Sequence, residues 1–256
     1  MTAAARAATP FVLATDLDGT FAGGSDAARA RLYRRLAART HGTFLIYVTG
    51  RHLDSARALE ATLHLPVPDV YVTDVGATVT PANPERSIAL PGPPFEARWP
   101  GPTPVLAALA EVGDFLDRQD IPTARRVSFC VRGDRPFDGV VHEVRRRLVG
   151  LDVTVVASAG TYVDVLPGGV DKGSTLDRLL AWLGIDREVV VVAGDTLNDA
   201  ALFELGVKGI VVGNAEPALR ERVGGAAHVY CAEGHGAAGV QEGLEVFGFF
   251  SEGSEA

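Results

Sequence analysis

The chain has 256 residues, 47% of them hydrophobic and 22% charged, and carries a formal charge of −8. That length suffices for one large domain or two modest ones with a real core, and the acidic balance leaves no basic excess to neutralise the phosphates of a duplex, which excludes a nucleic-acid partner. No apolar run reaches a membrane span, and Cys130 and Cys231 sit in or beside apolar stretches as reduced thiols would, so a cytoplasmic protein without a membrane partner is expected.

The opening MTAAARAATP contains no continuous apolar segment of the secretory kind, and both it and the closing SEGSEA read as disordered. The first predicted strand is FVLATD, followed by a helix over 26–40, a strand FLIYVT, a helix over 53–63 and a strand VYVTDV. Nearly continuous apolar strands separated by amphipathic helices predict a parallel sheet covered on both faces. Proline and glycine then accumulate from 81 to 104 and mark a boundary. Beyond it the pattern predicts a helix over 104–119, a strand RVSFCV, a helix over 137–149, and strands VTVVAS and TYVDVL separated by Ala159 and Gly160. The first pattern resumes with a helix over 172–183, a strand VVVVAGD, a helix from Asp199, a strand GIVVGNA, a short helix, a strand HVYCA and a last helix ending near Phe250. The fold class expected is therefore α/β: a Rossmann-like parallel-sheet core, discontinuous over 1–81 and 169–256, with an inserted α+β domain at 82–168.

In an open parallel sheet, ligands bind beyond the carboxyl ends of the strands, so the residues that follow each strand matter most. Asp16 and Asp18 follow the first, in FVLATDLDGT. Acid and glycine after a strand are ordinary turn chemistry, but residues i and i+2 of an extended segment point the same way, so both carboxylates can share one volume. A shared volume requires a cation between them, or one carboxyl kept protonated for acid/base work. Thr49 follows the second strand in VTGR, where its hydroxyl can donate to an anion and Gly50 permits close backbone approach. GDTLND places Asp195 at a strand end and Asp199 one helical turn later. Four carboxylates on one edge call for hard-cation chemistry, that of Mg²⁺. Arginine fills almost every cationic position, and the two lysines are Lys172 and Lys208. Lys172 opens a helix on the ligand edge; Lys208, in GVKGI, reads as structural.

Taken together, DLDGT, the strand-end Thr49, Lys172 and GDTLND resemble the motifs of the haloacid dehalogenase superfamily of phosphohydrolases, in order and each after the expected strand. VTDVGATV, RVSFCV, DVLPGGVDKGSTL, VVGNAEPAL and GHGAAGVQEGLEVFGFF are similar to the branch containing the sucrose-phosphate and mannosyl-3-phosphoglycerate phosphatases. The resemblance implies a Mg²⁺-dependent phosphatase whose substrate is a small phosphorylated sugar or glycoside, with the insertion acting as a cap. It implies Asp16 as nucleophile, forming an aspartyl-phosphate, and Asp18 as the acid and base. It implies Thr49, Gly50, Lys172 and Asn198 around the phosphoryl group, and a metal held by Asp16, Asp18 through its backbone carbonyl, Asp195 and Asp199. A sugar-phosphate mutase on the same scaffold and a silent sugar-phosphate-binding domain are the alternatives.

Weaker candidates are Arg51, which could reach phosphate or cap a helix by a salt bridge, and Arg98, Arg126, Arg132 and Arg135 in or near the insertion. The run 145–147 reads as helix-end cations and His235 as a turn residue. Oligomeric state is open.

Overall fold

The computed structural model describes residues 11–38 and 42–250; the disorder expected of 1–10 and 251–256 falls outside them. Among the described residues, a seven-stranded sheet is built from β1 (Phe11–Thr15), β2 (Thr43–Val48), β3 (Val70–Thr73), β4 (Thr78–Pro81), β9 (Val190–Gly194), β10 (Lys208–Val211) and β11 (Val229–Cys231). Its order is β11-β10-β9-β1-β2-β3-β4, parallel except for β4, which pairs antiparallel with β3. A strand ending in proline is tolerated there because β4 lies at the sheet edge.

Alternation along β1 sends Phe11 and Leu13 to one face and Val12 and Ala14 to the other, each into its own apolar cluster. The first cluster takes in Leu32 and Leu36 of α1 (Asp26–Ala37) and Val240 and Leu244 of α8 (Ala237–Val246), with α2 (Leu53–Leu63) at its margin. The second is closed by α5 (Lys172–Leu183), α6 (Ala200–Phe203) and α7 (Pro217–Val223). A sheet covered on both faces is why its strands read as unbroken apolar runs.

The remaining strands, β5 (Leu116–Arg118), β6 (Val127–Val131), β7 (Val153–Ser158) and β8 (Tyr162–Pro167), form an antiparallel sheet ordered β5-β6-β8-β7. α3 (Pro102–Ala108) and α4 (Phe137–Arg147) pack on the face that carries Val127, Phe129, Val163 and Val165. The period of two then turns Ser128 and its register partner Asp164 to the opposite face.

Three expected boundaries are corrected. The helix expected over 104–119 stops at Ala108: Gly113 weakens a continuation, a 3₁₀ stretch Ala110–Phe115 follows, and Leu116 pairs with Val131 as strand. The helix from Asp199 is a 3₁₀ turn Leu197–Asp199 followed by the four residues of α6. The last helix ends at Val246, not near Phe250; Phe249 instead stacks on Phe11, with ring centroids 4.7 Å apart.

Candidate active site

β1 is flanked by β2 and β9, and the chain progresses outward from β1 in opposite directions along the sheet, so a crevice opens between the ends of β1 and β9. Asp16 and Asp195 emerge into it side by side, the Asp16 N–H bonding to Ala193 O at 3.0 Å. The turn after β1 is held open by Gly19, at φ +74°: a Cβ there would lie 2.1 Å from Asp195 Oδ2, so backbone and carboxylate approach more closely than any side chain permits.

Lys172 completes the group. Asp171 and Ser174 form a reciprocal capping box that starts α5 at Lys172, beneath the same edge. Its ammonium donates to Asp16 Oδ1 at 2.7 Å and to Asp199 Oδ1 at 2.6 Å. Asp199 Oδ2 accepts from the N–H groups of Asp195 and Thr196 at 3.0 and 3.1 Å, and the Thr20 hydroxyl donates to Asp195 Oδ1 at 2.8 Å. Lys172 and Asp199 are fully enclosed, and Asp16 and Asp195 nearly so.

The electrostatics show a shortage of positive charge. Three carboxylates face one ammonium, leaving two negative charges unbalanced when all are ionised. Burial, only partly opposed by Lys172 and reinforced by Asp199 and Asp195, holds the Asp16 carboxyl well above its usual range. Burial and the charge of Asp199 push Asp195 up to about 7. Burial alone would lower Lys172, but Asp16 and Asp199 outweigh it and keep it charged. Oxygens of Asp16, Asp195 and Asp199 lie within 4.8 Å of one another, a hard-oxygen set that fits a divalent cation such as Mg²⁺ in both charge and donor type. Asp199 has both oxygens already engaged within the protein, so Asp16 and Asp195 have the greater freedom to bind it.

Asp18 is placed differently. Its exposed carboxylate turns from Asp16 to Arg51, which grips both oxygens at 2.7 Å while donating to Ser55 at 2.8 Å. Thr49 is buried, and its hydroxyl oxygen accepts the Arg51 N–H at 3.2 Å. Thr49 and Lys172 lie behind the open cleft; Gly50, Asn198, Asp16, Asp18 and Asp195 line it.

That cleft, of about 630 Å³, has a second wall from the insertion: Gln119, Ile121, Arg126, Ser158, Tyr162 and Asp164. Of the four candidate arginines in or near the insertion, Arg126 reaches it. Arg126 is buried between Asp164, at 3.2 Å, and Asp74, at 3.3 Å, and Ser128 donates to Asp164. Burial raises the Asp164 carboxyl, with Arg126 opposing. Asp74 and Val75 adopt φ of +54° and +57°, strained for residues with side chains and beside the cleft. Arg98 pairs with Asp152, Arg132 with Asp117, and Arg135 lies over Phe115. The 145–147 run is partly engaged, Arg146 and Arg147 pairing with Glu143, and His235 is exposed in its turn. Lys208 donates to Glu188 O, a structural contact.

Sequence reasoning missed Thr20, although it stands in DLDGT. It also missed Asn214, which donates to Gly19 O at 2.9 Å and accepts from Gly236 N–H at 2.7 Å, pinning the turn after β1. The stretch VVGNAEPAL held that signal, but only as a likeness. The sequence offers Arg126 only as one of four arginines in or near the insertion, and gives no signal for Asp164 or Gln119.

The sequence pattern of the sucrose-6F-phosphate phosphohydrolases matches residues 9–248. The chain is 39% identical over 242 residues to a glucosylglycerol-phosphate synthase of Pseudomonas anguilliseptica, covering 94% of this chain but 31% of that protein, so it spans about a third of that relative's length. It is 28% identical to the mannosylfructose-phosphate phosphatase of Agrobacterium fabrum, covering 93% of this chain and 96% of that one. Among solved structures, the sucrose-phosphatase of Synechocystis sp. PCC6803, determined with sucrose and phosphate, superposes with a TM-score of 0.81 at 27% identity, covering 94% and 99% of the two chains.

Proposed function

The chain belongs to the sucrose-6F-phosphate phosphohydrolase family, within the haloacid dehalogenase superfamily, and on that premise we propose that it is a phosphatase releasing inorganic phosphate from a phosphorylated sugar or glycoside. The observation that carries this reading is Lys172 held between Asp16 and Asp199, with Asp195 beside them at the mouth of a cleft large enough for a glycoside.

In this reading the Asp16 carboxylate attacks phosphorus, and the bond to the sugar oxygen breaks as Asp18 delivers a proton to it. Asp18 then takes a proton from the water that attacks the phosphorus of the aspartyl-phosphate, freeing phosphate and restoring Asp16. Asp18 must leave Arg51 to do either. Lys172, Thr49, Gly50 and Asn198 hold the phosphoryl oxygens. Mg²⁺, held by Asp16, Asp195 and the Asp18 carbonyl, would offset the repulsion between an anionic nucleophile and an anionic ester. Asp199 keeps Lys172 and the Asp195–Asp199 turn in place.

Residues 82–168 would serve as the cap that selects the alcohol, and 1–81 with 169–256 as the catalytic core. Unpaired thiols at Cys130 and Cys231 fit a reducing, cytoplasmic setting. Glucosylglycerol phosphate is the first substrate to try, because the 39% identical relative is named for it. The test is phosphate release from it, from sucrose 6-phosphate, mannosylfructose phosphate, glycosylglycerate phosphates and hexose phosphates, each with Mg²⁺ or EDTA. One of the glycoside phosphates should exceed the hexose phosphates in kcat/KM and lose turnover in EDTA. Isomerisation of a hexose phosphate that needs a sugar bisphosphate and releases little phosphate would identify a mutase instead. Binding without turnover of any ester would identify a silent domain.

A further inference from the structure

Glu216 has no part in handling phosphate in this scheme, yet three elements meet on it. It directly precedes α7, and its N–H donates to the Asp195 carbonyl at 2.8 Å. Its carboxylate accepts twice. Oε2 takes the N–H of Leu197, in the turn between Asp195 and Asp199, at 2.9 Å; Oε1 takes the N–H of Ala159, at the tip of the β7–β8 hairpin of the insertion, at 2.6 Å. The last register pair of that hairpin is Ser158 with Tyr162, so Ala159 lies beyond the ladder, at φ +54° and exposed, and the acceptor for its N–H comes from the core. Hydrogen bonds to a charged acceptor are the stronger kind. Ser158, Ala159 and Tyr162 line the cleft on one side, and Asp195, Thr196 and Asn198 on the other.

We propose that Glu216 is a positioning residue that couples the seating of the β7–β8 hairpin over the cleft to the alignment of the Asp195–Asp199 turn. The two oxygens of one planar group each serve a different element, so displacement of either N–H shifts the acceptor offered to the other. A substrate that reaches the insertion seats the hairpin directly and so aligns the turn; a small ester, like phosphate itself, engages the turn and reaches the hairpin only through Glu216. Glutamine cannot reproduce the arrangement, because it has one acceptor oxygen and sets an NH₂ against the second N–H. The kinetic part of this inference rests on the phosphatase reading above, whereas the coupling itself does not.

Amide hydrogen exchange at Ala159 and Leu197 tests it, in the parent protein and in Glu216→Gln, with and without Mg²⁺ plus inorganic phosphate as probe. In the parent, exchange at Ala159 should slow when the probe is added. In Glu216→Gln both amides should exchange about tenfold faster and Ala159 should ignore the probe. The β6–β8 ladder amides of Phe129 and Val163 should stay unchanged and report an intact fold. In parallel, kcat/KM for the preferred glycoside phosphate should fall about tenfold, and for p-nitrophenyl phosphate about twofold at most. Unaltered exchange at Ala159 in the variant, or equal losses on both substrates, would overturn the coupling and leave Glu216 as a brace of the turn. Should Glu216→Gln fail to fold, absence of the probe's effect on Ala159 in the parent overturns it equally. A parent protein that hydrolyses no ester would remove the phosphatase reading while the exchange result still decides the coupling.

Discussion

Lys172 donates to Asp16 across 2.7 Å, joining residues 156 positions apart in the chain at the centre of the crevice between β1 and β9. The ammonium neutralises one of the three buried carboxylates around it and leaves the others in need of a cation. A compact point charge with three donors fits there; a planar guanidinium does not. Lys172→Arg is therefore expected to lose about a hundredfold in kcat or more through misplaced charge. Because Lys172 is fully enclosed, the larger side chain also overpacks the site and lowers the thermal midpoint, by about 1–3 kcal/mol of stability. Lys208→Arg, at a structural contact with Glu188 O, is the control and should stay near parental activity. Parental turnover in Lys172→Arg would remove Lys172 from the phosphoryl site.

Asp16 and Asp18 are separated by one residue and meet different surroundings, one buried beside Lys172 and the other exposed beside Arg51. Asp16→Asn should abolish turnover and yield no acid-stable phosphoprotein after rapid quenching, because an amide is a poor nucleophile. Asp18→Asn should slow turnover by about 10²–10⁴-fold by removing proton transfer. Phosphate release by Asp16→Asn at the parental rate would assign the nucleophile elsewhere.

The metal-free protein should lose stability as pH rises. Asp195 titrates near 7 when folded and at an ordinary 3.8 when unfolded, and Asp16 is raised in the same direction. Between those values the folded chain holds protons that the unfolded chain has released, so this contribution is greatest below about pH 4 and is lost as pH passes through about 7. A divalent cation held by Asp16 and Asp195, as proposed above, would supply the missing charge and should remove the dependence. Thermal midpoints in EDTA should therefore fall from about pH 5 to about pH 8, and added Mg²⁺ should raise them most at the alkaline end. A midpoint in EDTA that holds level would mean the carboxylates are balanced without a cation.

Gly19→Ala adds a Cβ at a left-handed φ of +74° and within 2.1 Å of Asp195 Oδ2. Either the turn after β1 or the carboxylate must move. The Mg²⁺ concentration for half-maximal activity should rise by about 10–100-fold, as for other disturbances of groups that orient a metal ligand. An unchanged Mg²⁺ requirement would show that Asp195 does not hold the cation.

Removing Arg126 strands Asp74 and Asp164, both buried. Arg126→Met should cost about 3–5 kcal/mol in urea unfolding. With the strained Asp74–Val75 turn released and the insertion wall loosened, KM for a glycoside phosphate should rise more than KM for p-nitrophenyl phosphate. An equal rise for both would place Arg126 in folding alone.

The sequence by itself determined the alternation of strands and helices, the interruption by a second sheet, and the residues that gather at the strand ends. Those features are local: apolar runs without period mark strands buried on both faces, and a carboxylate directly after such a run has only the sheet edge to occupy. Asp16, Asp195, Asp199 and Lys172 were legible because their positions follow from the element that precedes each. Tertiary structure decided what those groups face. That Asp18 turns to Arg51, that the second Asp199 oxygen goes to Lys172, and that Arg126 lies buried between Asp74 and Asp164 depend on pairings across 33, 27, 38 and 52 residues, which no local spacing encodes. The helix expected over 104–119 failed for a related reason: Leu116 gains a β6 partner in Val131, and a pairing made in space overrides a helical pattern weakened by Gly113. Glu216 is the extreme case, a solvent-type residue in a loop until the fold brings Ala159 from the insertion and Leu197 from the core to its two oxygens.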